Sequence, residues 1–109
     1  MAVYTPDRWV VIDITSDTGT KIRKVLGAWY GGFAKGDSWR LNSGVTEVKE
    51  DGDWFIFVGY SGSEYRCHKN CEGTSMMTAG ILSDLMTQAE KRPGWKVELV
   101  TPFTLEEHA

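Results

Sequence analysis

The sequence predicts an α+β fold: a curved, mainly antiparallel sheet of five to seven strands, free to close partly into a barrel, with one helix packed on it. Three observations predict it. Apolar residues alternate with period two over residues 8–14, 21–30, 45–49, 63–69 and 95–100, as strands require. The period lengthens to three and four residues between Met77 and Ala89, as an amphipathic helix requires. Glycine supplies 12 of the 109 residues, and it falls mostly between the alternating stretches, where tight turns need positive φ. A chain of this length forms one domain, with residues 101–109 expected as a flexible tail.

Pro6 disfavours helix at Thr5, so residues 1–7 are read as an extended lead. Over residues 8–14, Val10, Ile12 and Ile14 share one face against Trp9, Val11 and Asp13, which makes a first strand. Asp17 and Gly19 provide turn chemistry, and residues 21–30 alternate again, so the two stretches pair as a hairpin. The glycine-rich segment 31–44 reads as a loop holding a short extended piece at 38–42. Residues 45–49 form the next strand, and Asp51-Gly52 marks a tight hairpin leading into residues 53–60. There Trp54, Phe55, Ile56, Phe57 and Val58 run without a polar residue. That is the pattern of a strand buried on both faces, and it is the expected centre of the fold. Ser61-Gly62 turns the chain into residues 63–69, completing a three-strand meander. Thr74 or Ser75 caps the helix, whose stripe is Met77, Ile81, Leu82, Leu85, Met86 and Ala89, and Pro93-Gly94 ends it. Trp95, Val97 and Leu99 then alternate along a last strand. A single core is expected, drawn from Trp9 or Val10, Val25 or Leu26, Phe55, Phe57, Ile81, Leu85 and Val97. The helix covers one side of the sheet, and curvature, aromatic side chains or a second copy of the protein must close the other.

Composition narrows the function classes. Twelve basic against 15 acidic residues leave a net charge of −3, which disfavours non-specific nucleic-acid binding, since that works by displacing counterions with a basic surface. No apolar run approaches the roughly 20 residues that span a bilayer, and no secretory signal follows Met1, so a cytoplasmic protein is expected. Cys67, His68 and Cys71 are zinc-type ligands, but a structural zinc site takes four and strand alternation sends Cys67 and His68 to opposite faces. The cysteines are therefore read as structural thiols. Gly59-Tyr60-Ser61-Gly62-Ser63 does not open a helix, so it is not a phosphate loop. Nothing in the chain resembles a converging set of titratable groups. The expectation is a protein that is not an enzyme, with no catalytic residue, no metal ligand and no cofactor.

The segment 29–44 combines aromatic residues, arginine, asparagine and glycine, the mixture of protein-binding hot spots. Its candidate binding residues are Tyr30, Lys35, Trp39, Arg40 and Asn42. Neighbours along an extended piece point to opposite faces, so Trp39 and Leu41 are expected inward, with Arg40 and Asn42 exposed. Four phrases, Tyr4-Thr5-Pro6-Asp7-Arg8-Trp9-Val10, Trp29-Tyr30-Gly31-Gly32, Gly36-Asp37-Ser38-Trp39-Arg40-Leu41-Asn42-Ser43-Gly44 and Gly59-Tyr60-Ser61-Gly62-Ser63 with Tyr65 and Cys67-His68-Lys69-Asn70, resemble a group of small proteins encoded by tailed bacteriophages. The resemblance covers roughly residues 4–72. It implies a phage origin and expression in the bacterial cytosol, and it brings no activity and no functional residues with it. The expected function is that of a phage accessory protein that binds a host or phage protein, in a host-modulating or counter-defence role, or that pairs with itself as a homodimer. The alternative is a small module binding a ligand or nucleic acid on Arg40, Lys35 and exposed aromatic rings.

Overall fold

The structure is a computed structural model and describes residues 2–32 and 36–108. Its strands are β1 (Val3–Tyr4), β2 (Arg8–Thr15), β3 (Lys21–Trp29), β4 (Ser38–Leu41), β5 (Val45–Asp51), β6 (Trp54–Gly59), β7 (Glu64–His68) and β8 (Lys96–Val100), with helix α1 (Met76–Glu90) between β7 and β8. The α+β class holds, and the strands separate into two four-stranded sheets, ordered β1-β7-β6-β5 and β4-β3-β2-β8. Among the described residues all strand-to-strand pairings are antiparallel except β1 with β7. The strand beyond the expected five to seven is β1, a two-residue pairing of the lead segment. The sheets do not close into a barrel. They stack face to face, and α1 covers the outer face of the β4-β3-β2-β8 sheet.

Both predicted hairpins form. Asp13 lies opposite Arg23 and Trp9 opposite Gly27 in the β2–β3 pair, and the β5-β6-β7 meander follows the order of the chain. Ser75 caps α1. Its Oγ accepts from Thr78 N–H at 3.1 Å while Thr78 Oγ1 accepts from Ser75 N–H at 2.8 Å, a reciprocal box that satisfies two otherwise orphaned donors. The cap also moves the buried face of the first turn from Met77, which is exposed, to Thr78.

Burial places the centre of the fold on a different strand from the one expected. In β6 only Phe55 and Phe57 are buried, while Trp54, Ile56 and Val58 face outward and are half-exposed. The strand covered on both faces is β2, where Trp9, Val10, Val11 and Ile12 are all buried. An uninterrupted apolar run requires a layer on each side only if the rest of the chain supplies two, and here the second layer went to β2. The expected single core is accordingly two. Between the sheets, Trp9, Val11, Val25, Phe55, Phe57, Tyr65, Cys67 and Phe103 pack together. Beneath the helix, Val10, Ile12, Leu26 and Leu82 form the other, flanked by Ile81, Leu85 and Val97.

Trp9 and Phe103 help bind the layers. Trp9 Nε1 donates to the His68 carbonyl at 2.7 Å, which satisfies the buried indole and ties the sheets together. Residues 101–109, expected as a flexible tail, send Phe103 into the inter-sheet core, 5.1 Å ring to ring from both Phe55 and Phe57. Its N–H donates to Glu72 Oε2 at 2.7 Å. One aromatic residue without a repeat pattern around it carries no periodic signal, yet the gap between the sheets has room for it.

Candidate functional site

β4 leads into β5 by crossing from one sheet to the other through residues 42–44, and the β6–β7 turn at residues 60–63 lies against this crossing. Tyr60 N–H donates to the Gly44 carbonyl at 3.0 Å and Ser61 N–H to Ser43 Oγ at 3.3 Å. Gly44, at φ +135°, lies under the Tyr60 ring, where a Cβ would come within 2.6 Å of it. Only glycine allows this approach. The two turns, the end of β1 and the start of β7 border a cavity of about 220 Å³ lined by Tyr4, Arg40, Asn42, Ser43, Ser61 and Tyr65, among others.

Arg40 lies opposite Gly27 in the β3–β4 ladder, so it projects from the same face as Trp9, toward the other sheet. Its guanidinium lies 4.5 Å from the centre of the Tyr4 ring, a cation–π distance. Among the described residues no carboxylate pairs with it. Asn42 corrects the expected exposed pair: it is only 4% exposed. Its backbone N–H donates to the Val25 carbonyl at 3.1 Å and its Oδ1 accepts from Val25 N–H at 2.9 Å. The side chain thus continues the ladder one step after the backbone has turned away. With Oδ1 so engaged the amide orientation is set, and Nδ2 is buried with no acceptor among the described residues. Burial pushes the Tyr65 phenol up to about 12, against the opposing pull of the Arg40 charge, so at neutral pH it carries its proton. Gly59 makes room for these groups, because a Cβ there would meet Ser43 Oγ at 3.1 Å and Asn42 Nδ2 at 3.5 Å.

The other candidate residues lie elsewhere. Trp39 projects from the opposite face of β4 and is 44% exposed, so it does not join the core as expected. Tyr30 is 53% exposed, its N–H held by Asp7 Oδ2 at 2.8 Å. Lys35 lies outside the described residues. The structure brings Arg40 and Asn42 together in one cavity and adds Tyr4, Tyr65 and the serines of the β6–β7 turn. Those additions come from strands distant in sequence, and the one local signal for them is the pair of serines around Gly62.

Two larger recesses are already internally satisfied. One, of about 510 Å³, contains Asp13, whose oxygens accept from Arg23 Nε at 2.7 Å and Nη2 at 2.8 Å. Another, of about 370 Å³, has the Lys69 ammonium paired with Glu50 over the Phe55 ring. Cys67 is buried on the inner face of β7 and His68 lies on the outer face, its ring edge-on to Trp54 at 4.9 Å. His68 Nδ1 accepts from Asn70 N–H at 3.1 Å, and burial pushes the Cys67 thiol well up. Among the described residues no three His, Cys, Asp or Glu side chains gather as a metal site would require, and no helix is long and apolar enough to cross a membrane. Comparison with protein-family models, curated proteins and solved structures finds no match.

Proposed function

We propose that the chain is a non-enzymatic binding protein that grips a protein partner with the end of the sandwich around Arg40. One observation carries this reading: an arginine and a buried amide donor, neither with an acceptor among the described residues, meet at a single cavity. Tyr60, 69% exposed, stands on the adjoining turn, and Trp39 is exposed across β4. Arginine, tryptophan and tyrosine are the residues in which binding energy concentrates. The resemblance to small tailed-phage proteins supports a phage accessory role in the bacterial cytoplasm, with a host or phage protein as partner and host modulation or counter-defence as its purpose.

Affinity purification from bacteria expressing wild type or Arg40→Ala, each with and without nuclease, tests the reading. The expected result is one protein recovered in stoichiometric amount regardless of nuclease, with affinity for it reduced about thirtyfold in the variant, the loss of about 2 kcal/mol typical of a hot spot. Loss of every partner after nuclease treatment favours the second reading, a nucleic-acid module stacking bases on Tyr60, Trp39 and the Arg40–Tyr4 pair. Self-association alone, seen as a doubled mass in light scattering and abolished by Arg40→Ala, identifies the partner as a second copy.

A further inference from the structure

We propose that the Arg40–Asn42–Tyr65 cavity is a carboxylate site that takes one aspartate or glutamate side chain of a protein partner. This rests on reading the Arg40 end as the binding surface, and it supplies that surface with its chemistry.

Three features point to a carboxylate. The first is donor placement. Asn42 lines the cavity, and its Nδ2 is buried with no acceptor among the described residues, whereas buried amide donors almost always have one. Its orientation is determined by the Oδ1 bond to Val25 N–H, so what the site lacks is an acceptor. Arg40 supplies the planar fork that matches two carboxylate oxygens, and the Tyr4 ring lies 4.5 Å from it, steadying the guanidinium without consuming a donor. The second feature is charge. Among the described residues Arg40 is the single formally charged side chain of the lining, which otherwise offers amide and hydroxyl groups at Asn42, Ser43, Ser61, Ser63 and Tyr65. One cation among neutral donors balances a monoanion better than a phosphate carrying close to two negative charges. The third is size. About 220 Å³ is below the roughly 300–1,000 Å³ of sites that enclose whole small molecules. It suits a side chain presented by something larger, and Tyr60 beside the cavity is placed to meet the residues flanking that side chain.

The test is NMR titration of the ¹⁵N-labelled protein with capped pentapeptides, acetyl-Gly-Gly-X-Gly-Gly-amide, in which X is Glu, Asp, Gln or phosphoserine. The Glu or Asp peptide is expected to move the Asn42 side-chain amide and Arg40 Nε signals saturably, with the Gln peptide binding at least tenfold more weakly. Arg40→Gln, at an exposed position, and Gly59→Ala, which intrudes on the cavity, are each expected to weaken the Glu response at least tenfold while the remaining spectrum stays folded. Equal response to Glu and Gln peptides, an unmoved Asn42 amide, or unchanged binding in folded Arg40→Gln overturns the proposal. Tighter binding of the phosphoserine peptide overturns it in favour of a phosphate. Peptide failure with partner capture still dependent on Arg40 removes the carboxylate assignment alone. Peptide binding without any protein captured removes the protein-partner reading and leaves a free carboxylate ligand.

Discussion

Arg23 and Arg40 project from the same face of the β4-β3-β2-β8 sheet, on neighbouring strands, and among the described residues only Arg23 has an acid to hold. Arg23 grips the buried Asp13 carboxylate with two short bonds, and Lys21 adds charge from 3.6 Å. Burial pushes the Asp13 carboxyl up, but the Arg23 bonds and the two cations outweigh it and hold the group below its ordinary value. Arg40 has an aromatic ring beside it and an unsatisfied amide near it. A charge neutralised within the chain contributes to folding, whereas a charge left with a ring and a cavity is available to something outside it. The serine-lined end is thus where binding is expected, and the Asp13 end is where stability is.

The largest effects belong to the core that holds both ends in place. Phe57→Ala should cost about 3–5 kcal/mol, a large share of the roughly 5–15 kcal/mol that keeps a domain folded. An unchanged denaturation midpoint would remove the shared inter-sheet core from the account. Phe103→Ala should cost about 3 kcal/mol by the same cavity mechanism, despite lying in a segment without strand or helix pattern. A loss below about 0.5 kcal/mol would restore the flexible tail.

Arg23→Ala leaves Asp13 buried without its partner and should cost about 2 kcal/mol at neutral pH, below the roughly 3–5 kcal/mol of a fully enclosed pair because Lys21 remains. Its pH dependence has a definite sign. Because the folded carboxyl titrates below its ordinary value, the unfolded chain takes up the proton first as pH falls. The Asp13 contribution is therefore complete above about pH 5 and is lost progressively as pH falls below about 4 toward the lowered folded value. Urea midpoints of wild type and Asp13→Asn should differ most at pH 7 and draw together as pH falls below about 4, and a gap that widens toward acid would contradict the pairing. Arg40→Ala should change stability least, within about 0.5 kcal/mol, while weakening partner binding about thirtyfold. Equal stability losses for the Arg23 and Arg40 variants would erase the distinction between the two ends.

Much of this architecture was legible in the sequence because period and turn chemistry are local. The alternation at residues 8–14 and 21–30, the Asp51-Gly52 turn, the Ser75 cap and the three- and four-residue spacing from Ile81 onward each specify an element without reference to any other part of the chain. Arg40 was legible as a candidate for the same reason, since arginine in a glycine-rich aromatic segment is conspicuous wherever it is folded. Asn42 was legible as a residue but not in its role, because its burial depends on β3 offering Val25 at the point where β4 ends.

The sequence by itself determined the α+β class, the strand and helix positions and the alternation that points Trp39 and Arg40 to opposite sides of β4. Tertiary structure decided which strand is central, that the strands divide into two sheets with a core on each side of β2, and that Phe103 belongs to one of them. It also decided the site, by bringing Tyr4, Arg40, Asn42, Ser61 and Tyr65 from three strands and two turns to one cavity. The physical reason is that periodicity specifies which face of an element is apolar but not which other face will cover it. Layer order and convergence come from the mutual packing of faces that are far apart in the chain.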